Sequence, residues 1–163
     1  MTTEHVAILF TDVVGSTELS QRLSPEGADV VRRGHFSILR QTLDDAGGTE
    51  VKNLGDGLMA VFGSASAALD CAVAMQRAVE RDNRDHEHTV GLRVGLSGGE
   101  VTREEDDYFG DPVIEAARLC AACGSGEILA ADVVGYSRMI EEDEAGTARA
   151  VRERRAAPWP SRA

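Results

Sequence analysis

The sequence predicts an α+β domain built on a ferredoxin-like βαββαβ sheet, with helices packed on one face. Three observations lead there. Four runs of strand length, at 5–12, 49–54, 58–62 and 89–96, are interrupted by two stretches whose small and apolar residues recur at helical spacing. The second and third runs are separated only by Gly55-Asp56-Gly57, a hairpin signal, whereas the other gaps have room for a helix. A length of 163 residues, 42% hydrophobic and 28% charged, suits one core rather than two.

Residues 5–12 (HVAILFTD) are an apolar run ending in Asp, the pattern of a buried strand. A loop follows at Val13–Thr17, where Ser16 or Thr17 is placed to cap a helix. Ser24-Pro25 restarts a helix, which Ala28, Val31, His35, Ile38, Leu39, Thr42 and Ala46 carry to Gly47-Gly48. After the hairpin strands, Ala67, Ala68, Cys71, Ala74, Met75, Ala78 and Val79 mark a helix over 64–81. Residues 82–88 (DNRDHEH) read as a solvated turn, 89–96 as an alternating strand, and Gly98-Gly99 as a tight turn. A charged excursion at 103–107 precedes a helix opened by Pro112 and closed by 124–126 (GSG), and 127–130 (EILA) form a last strand. Residues 1–130 thus read as one domain. Residues 131–163 read as an atypical segment, partly helical, with a disordered end.

Charge and cysteine content narrow the function. The net charge of −11 opposes binding to bare nucleic acid or an anionic membrane surface, so phosphate ligands would need a local cation. There is no apolar run of 18 residues and no basic-then-apolar N-terminus, so neither a membrane span nor a signal peptide is expected. Three cysteines do not make a disulfide framework, and a cytoplasmic location is expected. Cys120 and Cys123 form a C-x-x-C without a second pair, which reads as packing rather than zinc or redox chemistry. Lys52 is the single lysine.

Asp12 ends the first strand and Asp56 sits in the hairpin. Since strands one and three are neighbours in this plan, the two carboxylates are expected to approach each other. With no lysine nearby, they would repel unless a hard divalent cation lay between them, Mg²⁺ or Mn²⁺ by oxygen preference. Two such ions about 3.5–4 Å apart would form a clamp for phosphoryl chemistry. Spacing alone serves equally well a cap-adjacent Asp12 and an ordinary turn Asp56. The loop at 13–17 offers backbone amides to an anion but lacks the spacing of a P-loop.

Four motifs occur in order: FTDVVGST (10–17), VKNLGDGLMAVF (51–62), LRVGLSGGEV (92–101) and DYFGDPVIEAARL (107–119). Together they resemble the class III adenylate/guanylate cyclase catalytic domain over about residues 5–130. The resemblance implies that Asp12 and Asp56 bind two metal ions, with Val13 lending its carbonyl. It implies that the amides of Val13, Val14, Gly15, Ser16 and Thr17 hold a triphosphate. Lys52 and Asp107 would read adenine, whose N1 accepts and whose N6 amino group donates, and Arg118 would stabilise the transition state. ATP is then the expected substrate and cyclic AMP with pyrophosphate the products. Because such sites lie between two domains and this chain carries both halves, a head-to-tail homodimer is implied.

Two departures from the family pattern stand out. Ile114 occupies the position, four residues before Arg118, where an asparagine usually orients the ribose. Beyond residue 130 the family's further strands and phosphate-holding lysine are not matched. Instead Asp132-Val-Val-Gly135 echoes Asp12-Val-Val-Gly15, as though a new domain were beginning. These departures give the alternative expectation: a catalytically deficient domain serving dimerisation or nucleotide sensing.

Overall fold

A computed structural model describes residues 1–131. Along the chain run β1 (Thr2–Val14), α1 (Ser16–Arg22), α2 (Pro25–Asp45), β2 (Thr49–Asn53) and β3 (Leu58–Phe62). They are followed by α3 (Ala65–Arg84), β4 (Gly91–Glu104), β5 (Asp107–Phe109), α4 (Asp111–Ala122) and β6 (Ile128–Ala131). The sheet order is β2-β3-β1-β4-β5, with β6 pairing β4 in parallel. Strands β3 and β4 flank β1, both antiparallel to it. The expected α+β plan and the neighbouring of the first and third strands are therefore present.

The single core expected from the length is divided by the sheet into two clusters, which side-chain alternation along β1 feeds in turn. Ala7 and Leu9 face one cluster with Phe36, Leu39 and Leu43 of α2 and Leu69, Ala72 and Met75 of α3. Val6 and Ile8 face a second, with Met59, Val61, Val101, Tyr108 and Ala116. The expected single helical face holds for α2 and α3. The additional helix α4 lies on the opposite face, against β4, where Gly95 leaves room: a Cβ there would sit 2.3 Å from the Ala116 carbonyl and the Cys120 amide.

Local differences from the expected elements have physical causes. No side chain caps α1; its N-cap is Gly15 in the left-handed region (φ 79°), so neither Ser16 nor Thr17 has the predicted cap role. Ser24 caps α2 as expected, accepting from the Gly27 amide at 3.0 Å. α3 continues to Arg84, so the predicted turn at 82–88 begins late. Gly98-Gly99 is not a turn. β4 runs through it for 14 residues, paired with β1 from Thr2↔Arg103 to Val14↔Gly91. A long antiparallel partner outweighs the local glycine preference. The charged excursion is the tip of a β4–β5 hairpin, turning at Glu105 (φ 54°). The expectations for 132–163, including the Asp132 echo, lie outside the described residues.

Candidate active site

Asp12 and Arg93 are cross-strand partners on β1 and β4. Asp12 Oδ1 accepts from the Val13 amide at 3.0 Å, and Oδ2 accepts from Arg93 Nε at 3.0 Å and from Nη2. Arg93 Nη1 also donates to the Ala121 carbonyl in the last turn of α4, at 3.2 Å. The guanidinium's pKa is raised, first by its hydrogen bond to Asp12. This corrects the expectation that the Asp12 carboxylate would be uncompensated: an arginine supplies the charge. Arg93 was overlooked in the sequence, although it is the one charged residue in the alternating run at 89–96.

Asp56 is held to the same strand end by the backbone. A Cβ on the next residue, Gly57, would lie 1.7 Å from the Thr11 carbonyl oxygen and 3.1 Å from the Asp12 Cα. Only glycine lets the hairpin come this close. Thr11 Oγ1 then accepts the buried Leu58 amide at 3.0 Å. Asp56 itself is exposed, and its Oδ2 accepts from Ser16 Oγ at 3.1 Å. Val13, Ser16 and Asp56 thus line one cleft, of ≈260 Å³, with α1 and α2. Val14, Gly15 and Thr17 are exposed on the connecting turn. The first-turn amides of α1 have no intrahelical acceptor and no side-chain cap.

The donor set fits a hard divalent ion that takes only part of its coordination from the protein. Two carboxylates stand at one strand end, and no cluster of three or more ligating side chains exists among the described residues. Sites of that kind suit Mg²⁺ or Mn²⁺ whose remaining positions are filled by substrate phosphates and water.

Lys52 and Asp107 come together elsewhere, at 2.8 Å between Nζ and Oδ2 and 3.1 Å to Oδ1. Asp107 is held below the usual carboxylate range, first by Lys52 and then by the Tyr108 amide. Two local features bring them together. The β2–β3 register shifts between Glu50 and Lys52, a bulge that re-aims the side chains of β2. Tyr108 buries in the cluster of Met59 and Val61, which brings the β4–β5 hairpin over that face toward β2.

Arg118 is exposed on α4 and makes no hydrogen bond or ion pair among the described residues. Ile114, one turn earlier, is 51% exposed. Lys52, Asp107 and Arg118 are absent from the lining of the Asp56 cleft. The site residues therefore fall into two groups within one chain: Asp12, Val13, Ser16 and Asp56 in the first and Lys52 with Asp107 in the second, while Arg118 is bonded to neither among the described residues.

Cys71, Cys120 and Cys123 are buried, and Cys123 Sγ donates to the Val94 carbonyl at 3.1 Å. Burial pushes the Cys71 and Cys120 thiols up to about 12. No helix among the described residues is long and apolar enough to cross a membrane.

Comparison with known proteins agrees with the motif order. A family model described as the adenylate and guanylate cyclase catalytic domain matches residues 1–148. An adenylate cyclase of Mycosarcoma maydis is 34% identical over 156 aligned residues, which take in 80% of this chain and 6% of that protein. The structure of an adenylate/guanylate cyclase/hydrolase from Silicibacter pomeroyi superposes with a TM-score of 0.72 at 31% identity, covering 89% of this chain and 84% of the other. The adenylyl cyclase CyaB from P. aeruginosa superposes at 0.73 with 26% identity, covering 87% and 84%. The chain spans less than a quarter of the length of the first curated relatives it matches, 22%, 8% and 6%.

Proposed function

The chain belongs to the adenylate and guanylate cyclase catalytic domain family, and from that premise we propose that it is an adenylate cyclase, converting ATP to 3′,5′-cyclic AMP and pyrophosphate. The observation that carries the choice of base is the Lys52–Asp107 pair, with its ammonium and carboxylate 2.8 Å apart. Adenine presents an N1 acceptor beside an N6 donor, which an ammonium and a carboxylate complement; guanine presents O6 and N1–H and meets the wrong partners.

In this reading the first-turn amides of α1 and the Gly15 turn bind the triphosphate. Divalent ions bound at Asp12 and Asp56 supply Lewis-acid stabilisation of the phosphates and a lowered pKa for the ribose 3′-hydroxyl. The 3′ oxygen forms its bond to the α-phosphorus as the bond from that phosphorus to pyrophosphate breaks, and the hydroxyl proton passes to solvent water. Arg118, without a partner among the described residues, is available to neutralise charge on the reacting phosphoryl. Arg93 holds Asp12 in register with the end of α4.

The separation of the two groups supports a head-to-tail homodimer, in which Asp12 and Asp56 of one subunit meet Lys52, Asp107 and Arg118 of another. The exposed Phe109 and Ile114 offer apolar area for that contact. The test is product formation by the purified chain with Mn²⁺ and either ATP or GTP, alongside its mass in solution. Cyclic AMP made in preference to cyclic GMP by a dimer is the expected result. Preference for GTP would overturn the base assignment, and neither product would overturn the enzymatic reading.

A further inference from the structure

We propose that the cleft beside Asp56 is a binding site for a small, neutral ring compound bearing a hydroxyl group, anchored on His35. The cleft measures ≈260 Å³, and Leu19, Ala28, Val31 and Val90 give it apolar walls. An apolar cavity of about 150 Å³ already accommodates benzene, so one substituted ring fits by size.

His35 supplies the polar anchor. It lines this cleft and, together with Val31 and Val90, a neighbouring one of ≈230 Å³. The residue is 5% exposed, and its buried Nε2 has no hydrogen-bond partner among the described residues. Leaving a buried imidazole unpaired is costly, and a ligand that pairs it recovers that cost. Burial holds the ring neutral, with Asp82 opposing the shift. A neutral imidazole presents one donor and one acceptor, and a hydroxyl group complements either tautomer.

Charge excludes the other ligand classes. Asp29 and Asp56 both line the cleft, and the single arginine there, Arg32, is already paired with Asp29 at 2.7 Å. With no metal ion at Asp56 the surplus carboxylate repels anions, and the apolar walls offer a cation no partner at depth. At one end the cleft reaches Ser16 and Asp56, which are hydrogen-bonded to each other. An occupant there fixes the position of Asp56 relative to α1. Its effect on cyclic nucleotide formation rests on the function proposed above, whereas binding does not.

The experiment is a ligand-observed NMR titration of the whole chain with phenol and with toluene, without nucleotide or metal. Saturable phenol binding is expected, abolished by Ala28→Leu, which fills the cleft from α2. His35→Phe should lower the phenol-to-toluene affinity ratio about fivefold, the loss of one neutral hydrogen bond. Unsaturable binding, binding indifferent to Ala28→Leu, or an unchanged ratio in a folded His35→Phe chain would each overturn the proposal. Should His35→Phe not fold, Ala28→Leu decides alone. Because no turnover is read, a chain that makes no cyclic nucleotide still answers the question.

Discussion

Lys52 and Asp107 sit 55 residues apart, on strands at opposite edges of the sheet, yet their charged groups meet at 2.8 Å. The pair is about 45% and 35% exposed, and ion pairs of that kind contribute only about 0–1 kcal/mol to stability. The pair therefore adds little to folding, and the base-recognition role proposed for it can be tested without unfolding the chain. Lys52→Glu should leave the thermal midpoint within a few degrees of the parent while ATP selectivity over GTP falls about tenfold or more. Cyclic AMP and cyclic GMP measured at equal substrate concentrations give the ratio. An unchanged ratio would remove Lys52 from base recognition.

The two strand-end aspartates should respond differently to removal. Asp56 is exposed and, among the described residues, its side chain is bonded only to Ser16, so Asp56→Ala is expected to abolish Mn²⁺-dependent turnover with little change in denaturant midpoint. Asp12 is partly buried and carries Arg93. Asp12→Ala should abolish turnover and also cost about 1–3 kcal/mol, because the guanidinium loses its charge-assisted hydrogen bonds. Equal stability losses in the two variants would show that the Arg93 contact contributes nothing to the fold.

Much of this architecture was legible in the residues. The hairpin around Asp56 and the Ser24 cap each rest on local chemistry that a few positions specify. The straight passage of β4 through Gly98-Gly99 was not legible, since it depends on pairing with β1 residues nearly a hundred positions away, and β5 is a three-residue strand hidden in a charged stretch, paired only within its own hairpin. The same holds for the site. Asp12 and Asp56 could be nominated from strand ends and turns. The Arg93 contact arises from cross-strand register, and the Lys52–Asp107 pairing from a bulge and a folded-over hairpin, so neither follows from periodicity.

Ile114 and Arg118 lie one turn apart on α4 and are both exposed. An isoleucine there contributes apolar surface but no hydrogen bond to a ribose. Ile114→Asn is expected to raise kcat/KM for ATP by about tenfold or more, since positional losses near a reacting group reach about 10². The dimer fraction is expected to fall slightly as apolar contact is lost. A variant that folds and dimerises but turns over no faster than the parent would place the ribose contact elsewhere.

His35 makes stability depend on pH in a direction that the burial of its ring dictates. Burial lowers its pKa below the ordinary value of about 6.5, so the folded chain keeps the ring neutral where the unfolded chain takes up a proton. Below about pH 6.5 the unfolded state then binds more protons, and stability falls as pH falls, by at most about 1.4 kcal/mol per pH unit from this group. Above that pH the contribution is fully present and flat. His86 works the other way: its pKa is raised, first by the Asp82 carbonyl that it bonds, so it favours the fold as pH drops. Urea midpoints at pH 5.5 and 7.5, compared between the parent and His35→Phe, separate the two contributions. The parent should lose more stability on acidification than the variant. Equal losses would mean that the imidazole is protonated within the fold.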